Sequence, residues 1–263
     1  MSATPWPSEF TFELRVCRWV ERSWPPAGAG TRPVVVGRQV GTRERRWDTV
    51  VVEVDPDALA ERRRFGERGL DSDLLHVVGN APAEWAWYRD ALPEPDYPWR
   101  YVREAVHRAA ARDLVAERKR DGRIQLRRVR PYPDWVRRVV AVENKPDLDA
   151  AAARSLADQL RHDVTAGLAD EVWVATTATG ATVEPALLEA TPVEVGILLV
   201  HPPGSRDDAS DDRRGGTAGG EGVDASVAWH PARLDPDPGR ADKRAELAER
   251  AYGRGWRSYL DSM

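Results

Sequence analysis

Three apolar runs rich in β-branched residues, spaced unevenly along the chain, most constrain how it can fold. The first two, 33–40 and 46–54, are joined by turn residues and predict an antiparallel pair of strands. The third, 139–145, follows only after a middle segment of about 80 residues. This spacing predicts a central sheet whose sequence is interrupted by an insertion.

Further periodic segments complete the expected α/β fold, a mixed central sheet flanked by helices. We expect helices from Ser8 to about Trp24, over 150–168 and from about Ala241, and strands at 171–176, 193–200 and 227–229. The domain organisation predicted is a core in two parts, 1–57 and 137–263, around a basic insertion at 58–136. The polar stretch 202–225 is predicted to be a disordered loop.

The insertion has the pattern of a DNA-binding module. A helix is expected from Trp99 to about Lys119, followed by a tight turn at Asp121-Gly122 and a strand in which Ile124 and Leu126 alternate with polar residues. A helix followed by a basic two-stranded ribbon resembles a winged-helix module.

A net positive charge is concentrated in residues 100–140, most of which belong to this insertion. Residues 100–140 hold 13 Arg or Lys and 5 Asp or Glu, a net charge of +8, whereas the rest of the chain carries −12. Such segregation predicts a surface that faces phosphate groups. The candidate DNA-binding residues are Arg103, Arg112, Arg123, Arg127 and Arg128. A solvated arginine-rich helix is the alternative.

Composition excludes several classes of protein. The single cysteine, Cys17, excludes a disulfide framework and argues against a cysteine zinc site, and no two of the five histidines have metal-ligand spacing. The motifs of NTPases, dinucleotide-binding enzymes and serine hydrolases are absent. Without a signal peptide or an apolar run long enough to span a bilayer, we expect a cytoplasmic protein with no membrane partner. The oligomeric state stays open, and a homodimer is compatible with the sequence.

Charged residues at the end of the third apolar run indicate a site. Glu143 and Lys145 are two apart in a strand and therefore share one face. Asp48 lies in the preceding core strand, and neighbouring strands are about 4.8 Å apart, so Asp48 and Glu143 are expected to converge on one ion. Hard oxygen ligands favour magnesium, with manganese as an alternative. Such an ion activates water against a phosphodiester, and a nearby lysine stabilises the developing charge.

Structural explanations remain open for each of these residues. Glu143 and Lys145 can form a solvent-facing ion pair at the end of a strand, and Asp48 can cap a turn or pair with Arg38 or Arg46. A second Glu-x-Lys triplet, Glu117 to Lys119, is set aside because we place it at a charged helix end.

The element order and the Asp…Glu-x-Lys pattern resemble the PD-(D/E)xK nuclease superfamily, which includes archaeal Holliday-junction resolvases and RecB-type nucleases. The resemblance implies that Asp48 and Glu143 bind the metal and that Lys145 is catalytic. It also places a glutamate of the first helix at Glu13 and a glutamine of a later helix at Gln159. Glu13 lies among apolar positions of its helix and should point inward, where pairing with a core arginine is the alternative. Gln159 can equally be a surface residue.

A second resemblance covers the whole chain. The segments 80–82, 132–135 and 143–148 are similar to an uncharacterised haloarchaeal family that has no assigned activity. The function expected is therefore metal-dependent cleavage of structured or damaged DNA, by an endonuclease or exonuclease, in repair or recombination. The alternative is a non-catalytic winged-helix DNA-binding protein with a degenerate nuclease core, and cleavage of RNA is a third reading.

Overall fold

The computed structural model describes residues 8–26, 31–42, 45–147, 150–177, 189–201 and 224–259. Its helices are α1 (Glu9–Ser23), α2 (Pro56–Arg63), α3 (Ser72–Asn80), α4 (Tyr88–Ala91), α5 (Trp99–Ala111), α6 (Ala150–Thr165) and α7 (Ala241–Gly253). Its strands are β1 (Val34–Gly41), β2 (Arg46–Val54), β3 (Ala86–Trp87), β4 (Val115–Arg120), β5 (Arg123–Arg128), β6 (Val136–Asn144), β7 (Glu171–Thr177), β8 (Gly196–His201) and β9 (Asp224–Trp229). The predicted α/β class is confirmed.

Six strands form a mixed sheet in the order β1-β2-β6-β7-β8-β9. The β6-β7 and β7-β8 pairs are parallel, while β1-β2, β2-β6 and β8-β9 are antiparallel. Strand β6 therefore lies beside β2 although the whole insertion separates them in sequence. This pairing closes the core across the insertion.

Apolar residues on both faces of the sheet explain why it lies between two layers of helices. On one face α1 packs its buried residues Phe12 and Val16 against alternate residues of the central strands, such as Val140. On the other face α6 and α7 pack against the intervening residues, such as Val139 and Ala141. The side chain of Ser8 accepts a hydrogen bond from the Thr11 amide, which caps α1 at the predicted residue.

The insertion has its own hydrophobic core. Strands β3, β5 and β4 form a three-stranded antiparallel sheet, and its buried Leu126 packs with residues of α3 and α5 such as Val77 and Val106. The helix predicted to extend to Lys119 is shorter, because it ends at Ala111 and Asp113 adopts a left-handed conformation (φ 56°). The triplet that begins at Glu117 therefore lies in strand β4, and the prediction of a helix end there was wrong.

Other boundaries differ slightly from expectation. Strand β8 begins at Gly196 instead of residue 193, and Val193 is exposed. Residues 202–223 of the predicted disordered loop lie outside the described residues, while 224–225 belong to β9. Within the described residues, no helix combines the length and the apolar character needed to cross a bilayer.

A buried ion pair joins the insertion to the core. The Arg62 guanidinium of α2 bonds both carboxylate oxygens of Glu249 on α7, and both side chains are fully buried. Glu249 also accepts hydrogen bonds from the Leu70 amide (2.6 Å) and the Tyr132 hydroxyl (2.5 Å). Because every oxygen of this carboxylate has a partner, the pair fixes how α2 and α7 meet.

Replacing Arg62 with methionine should lower the free energy of unfolding by about 3–5 kcal/mol, because it leaves a carboxylate buried without its cation. The matched control is Arg257→Met, which removes the exposed ion pair with Glu21 and should cost at most about 1 kcal/mol. Urea unfolding of both variants measures the difference. Equal losses in the free energy of unfolding of the two variants would mean that the buried pair stabilises the protein no more than a surface pair does.

Candidate metal centre

Asp48 and Glu143 lie opposite each other on adjacent strands. The β2-β6 register pairs Thr49 with Val142, and its continuation by one residue places Asp48 opposite Glu143. The Glu143 side chain is 4% exposed. The alternative of a solvent-facing ion pair at the strand end is therefore wrong for Glu143.

Asp48 receives hydrogen bonds from neutral groups. The side-chain amide of Gln39 donates to one carboxylate oxygen (3.0 Å), and the backbone N–H of Asn144 donates to the other (2.9 Å). In the described part of the chain, no Arg or Lys nitrogen lies within 4.0 Å of this carboxylate, and Arg38 bonds Glu13 instead. The Asp48 carboxylate is therefore held by two neutral hydrogen-bond donors, and no cation among the described residues neutralises its charge.

Glu13 points into the protein from α1, as its helical position predicted. Its carboxylate lies 2.5 Å from the Arg38 guanidinium and accepts a hydrogen bond from Gln39 (3.1 Å). Gln39 thus bridges Glu13 and Asp48, and its left-handed backbone (φ 53°) marks an irregular point in β1. Burial, opposed by Arg38 and reinforced by Asp48, raises the pKa of Glu13. Glu13 therefore points inward, as predicted, and it also pairs with a core arginine, which was the alternative.

An arginine from the β1–β2 connection covers the other side of the centre. The Arg45 guanidinium bonds the carboxylate of Glu143 and makes a bidentate contact with Asp163 of α6, at 2.8 and 3.0 Å. Asp163 is fully buried on the face of α6 that carries Leu156 and Leu160. Asp163 follows the core residues Leu156 and Leu160 at the spacing of one helical face, and this spacing is the signal by which the sequence reveals it. Nothing in the sequence of the β1–β2 turn distinguishes Arg45 from its neighbours.

The electrostatics of Glu143 differ most from those of an ordinary glutamate. Burial first, then the nearby charges of Asp48 and Asp163, raise its pKa from 4.5 to about 8, although Arg45 and Lys145 oppose the shift. Asp48 adds to the shift from its place opposite Glu143 on the neighbouring strand. A cation between the two carboxylates would relieve their repulsion.

Lys145 and Gln159 make no hydrogen bond or ion pair with Asp48 or Glu143 among the described residues. The Lys145 ammonium is 4.0 Å from Glu9 at the start of α1, and its side chain is 38% exposed. Its charge acts on Glu143. Gln159 is half-buried on α6, and the residue of that helix that reaches Glu143 through Arg45 is Asp163. Within the described residues, no group of three or more His, Cys, Asp or Glu is arranged as a complete metal-binding cluster.

The opposite end of the sheet gives a structural comparison. There Glu53 bonds Arg32 and Arg138, and Asp170 bonds Arg244. Buried acids of this protein thus commonly bond arginine, as Glu13, Glu143 and Asp163 do. Asp48 is half-buried and bonds no arginine among the described residues.

One family model matches the chain over residues 35–263, and its description reads "Family of unknown function (DUF5787)". The chain belongs to this family. No curated protein and no solved structure is significantly similar to it. The DUF5787 match covers Asp48, Glu143 and Asp163 and begins after Glu13. It names no source organism, so the haloarchaeal resemblance stays a prediction.

The predicted DNA-binding residues of this DUF5787 member all lie on the surface of the insertion. Arg103 and Arg112 are exposed on α5 and at its end, and Arg123, Arg127 and Arg128 are exposed on β5. The second Glu-x-Lys triplet lies on β4, where Glu117 contacts His107 (2.8 Å). No acid corresponding to Asp48 accompanies that triplet, since Glu117 pairs across the strands with Leu126.

The raised pKa of Glu143 predicts how stability depends on pH. The folded protein keeps this proton up to about pH 8, whereas the unfolded chain releases it near 4.5, so the free energy of unfolding should fall as pH rises between these values. In Glu143→Gln the decrease in the free energy of unfolding with pH should be smaller by about 1–4 kcal/mol, since one pKa unit corresponds to about 1.4 kcal/mol. Urea unfolding at pH 5 and pH 8 measures it.

Asp48→Asn is the companion variant, because it removes the repulsion and should reduce the same pH dependence without removing Glu143. Parallel pH profiles of the wild type and Glu143→Gln would contradict the assignment.

Proposed function

We propose that the chain is a divalent-metal-dependent nuclease of the PD-(D/E)xK type that acts on DNA. The observation that carries the proposal is the approach of Asp48 and Glu143 from adjacent strands, with Asp48 held only by neutral donors among the described residues. The core order of helix, three strands, helix and strand, found here as α1, β1, β2, β6, α6 and β7, supports it.

The donor set fits magnesium or manganese. Asp48 and Glu143 offer hard carboxylate oxygens, which these ions prefer, and their mutual repulsion favours a cation. The side chain of Asn144 points to the other face of the sheet, where it donates to Thr49 (3.0 Å), so the described carboxylates offered to the ion are those of Asp48 and Glu143. When bound, the ion would neutralise the scissile phosphate and activate a water.

The surrounding residues orient these carboxylates and act on the substrate. Gln39 and the Asn144 amide hold Asp48, while Glu13 holds Gln39. The ammonium of Lys145 is partly exposed near Glu9 and its charge acts on Glu143, so it would be able to orient the water and stabilise charge that develops on the phosphate.

Arg45 balances the charge of the centre in this conformation. It bonds Glu143 and Asp163 together, so an ion bound by Glu143 would replace the contact with Glu143, while Asp163 retains the guanidinium. The one N–H group of Arg45 released from Glu143 would then be able to donate to a substrate phosphate oxygen.

The insertion supplies the DNA-binding surface in this proposal. Its order of α3, β3, α4, α5, β4 and β5, with the sheet order β3-β5-β4, resembles a winged helix, and its second half lies in the net positive segment 100–140. Attraction by these arginines is independent of the acidic centre.

One observation favours a second candidate, a non-catalytic nucleic-acid-binding protein. Arg45 already neutralises two of the acids, as arginines do at the other end of the sheet, and such a centre can be purely structural. Cleavage decides between the two candidates, and a substrate panel containing RNA also tests the third reading.

Asp48→Asn and Glu143→Gln should each abolish magnesium-dependent cleavage, with a loss of at least about 100-fold, because each removes a ligand of the ion. DNA binding in EDTA should change little, because the insertion supplies the phosphate contacts. The assay uses labelled single strands, duplexes, branched junctions and RNA, with and without Mg²⁺ or Mn²⁺.

Glu117→Gln is the matched control, since it changes the glutamate of the second Glu-x-Lys triplet and should leave cleavage intact. If the wild type binds DNA yet cleaves nothing in the panel, the non-catalytic candidate is correct. If Asp48→Asn cleaves as well as the wild type, the centre has been placed wrongly.

A further inference from the structure

Tryptophan and arginine side chains share the outer face of the insertion's three-stranded sheet. The cross-strand register pairs Gln125 with both Trp87 and Arg118, which places these three side chains on one face. Arg123 and Arg127, two residues to either side of Gln125, lie on the same face. Leu126 occupies the opposite face and is buried in the core of the insertion. The outer sheet face is therefore solvent-facing.

The arginines of this face stack on its indole rings. Arg118 and Arg127 lie 4.3 and 5.0 Å from the ring centre of Trp85, and Arg123 lies 4.7 Å from that of Trp87. Stacked guanidinium groups keep their N–H donors in the plane of the group, where they remain able to bind phosphate. The rings of Trp85 and Trp87 thus form two neighbouring cation–aromatic contacts on the sheet, the first with Arg118 and Arg127 and the second with Arg123.

These arginines are not neutralised within the described residues. Arg118 donates to the neutral Gln125 (2.8 Å), and neither Arg123 nor Arg127 lies within 4.0 Å of a described carboxylate. Nearby acids are few, and Asp121 at the hairpin tip contacts Arg120. The face therefore presents uncompensated positive charge to solvent.

The exposed side of α5 differs only in part in this respect. Arg108 bonds both Asp71 and Asp73, and His107 bonds Glu117. Arg108 is therefore balanced by acids of the same module, whereas Arg103 and Arg112 have no carboxylate within 4.0 Å among the described residues. What distinguishes the outer sheet face from this helix is that its arginines lie against two indole rings.

We propose that the outer sheet face, defined by Trp85, Trp87, Arg118, Arg123, Gln125 and Arg127, binds single-stranded nucleic acid. This inference rests on the proposed function, because it names the kind of substrate that the insertion delivers to the acidic centre: a nucleic acid with an unpaired segment.

The combination of charge and flat stacks selects this ligand. A duplex offers phosphates but keeps its bases stacked on each other, so it uses the arginines and not the aromatic rings. An acidic peptide likewise matches only the charge. A single strand exposes both phosphates and base faces, and stacking on aromatic or guanidinium planes is largely independent of base sequence.

Fluorescence anisotropy of the full-length protein in EDTA tests the proposal, with labelled oligothymidylate, a duplex with the same number of phosphates, and polyglutamate as a competitor. Oligothymidylate should bind more tightly than the duplex, and polyglutamate should compete poorly. Trp87→Leu should weaken single-strand binding about tenfold. Because Trp87 is half-buried and its replacement can disturb folding, the exposed pair Arg123→Gln with Arg127→Gln provides a second test.

The matched control is Arg103→Gln with Arg112→Gln, which removes the same charge from the α5 side. The sheet-face pair should cost at least tenfold more affinity and should reduce the salt dependence for single strands by about 1.4 in logarithmic slope. Equal losses from both pairs, tighter binding of the duplex, or effective competition by polyglutamate would each overturn the proposal. Since EDTA prevents cleavage, single-strand binding can succeed even if the proposed nuclease activity is absent.

Discussion

The pairing of β2 with β6 is the contact on which the rest of this protein depends. It joins two parts of the chain that the whole insertion separates, and it carries apolar residues into both layers of the core. The same pairing brings Asp48 opposite Glu143, so the strand contact that closes the core also forms the candidate site. The insertion begins and ends at this strand pair and is held by the buried contact of Arg62 with Glu249. A long insertion is tolerated because its ends lie close together.

Charge compensation gives the acidic centre its character. Burying several carboxylates together is costly unless cations or hydrogen-bond donors approach them. Arg38 and Arg45 meet this need for Glu13, Glu143 and Asp163, while the half-buried Asp48 accepts hydrogen bonds from neutral donors in the part of the chain that the structure describes. The result is a cluster in which Glu143 has a raised pKa, and a divalent ion is the simplest further source of positive charge.

The sequence predicted the periodic parts of this arrangement well. Alternating apolar strands and a helical face interrupted by Glu13 were sufficient to predict the α/β core, the register-dependent approach of Asp48 and Glu143, and the inward glutamate. The helix end at Ala111 was missed because the residues that follow retain helical charge spacing, and the strand at Glu117 forms only by pairing with β5. Gln39, Arg45 and the exposed Trp–Arg stacks were missed because their roles come from a backbone irregularity, a turn and cross-strand contacts.

The central claim is that the cluster around Asp48 and Glu143 binds a divalent ion that competes with Arg45. Calorimetric titration of the protein with Mn²⁺, in two buffers of different ionisation enthalpy, tests it most directly. We expect one Mn²⁺ per chain, proton release near pH 7 from Glu143, no binding to Glu143→Gln, and tighter binding to Arg45→Gln. Binding that is unchanged in Glu143→Gln, or an absence of binding in both the wild type and Arg45→Gln, would contradict the account.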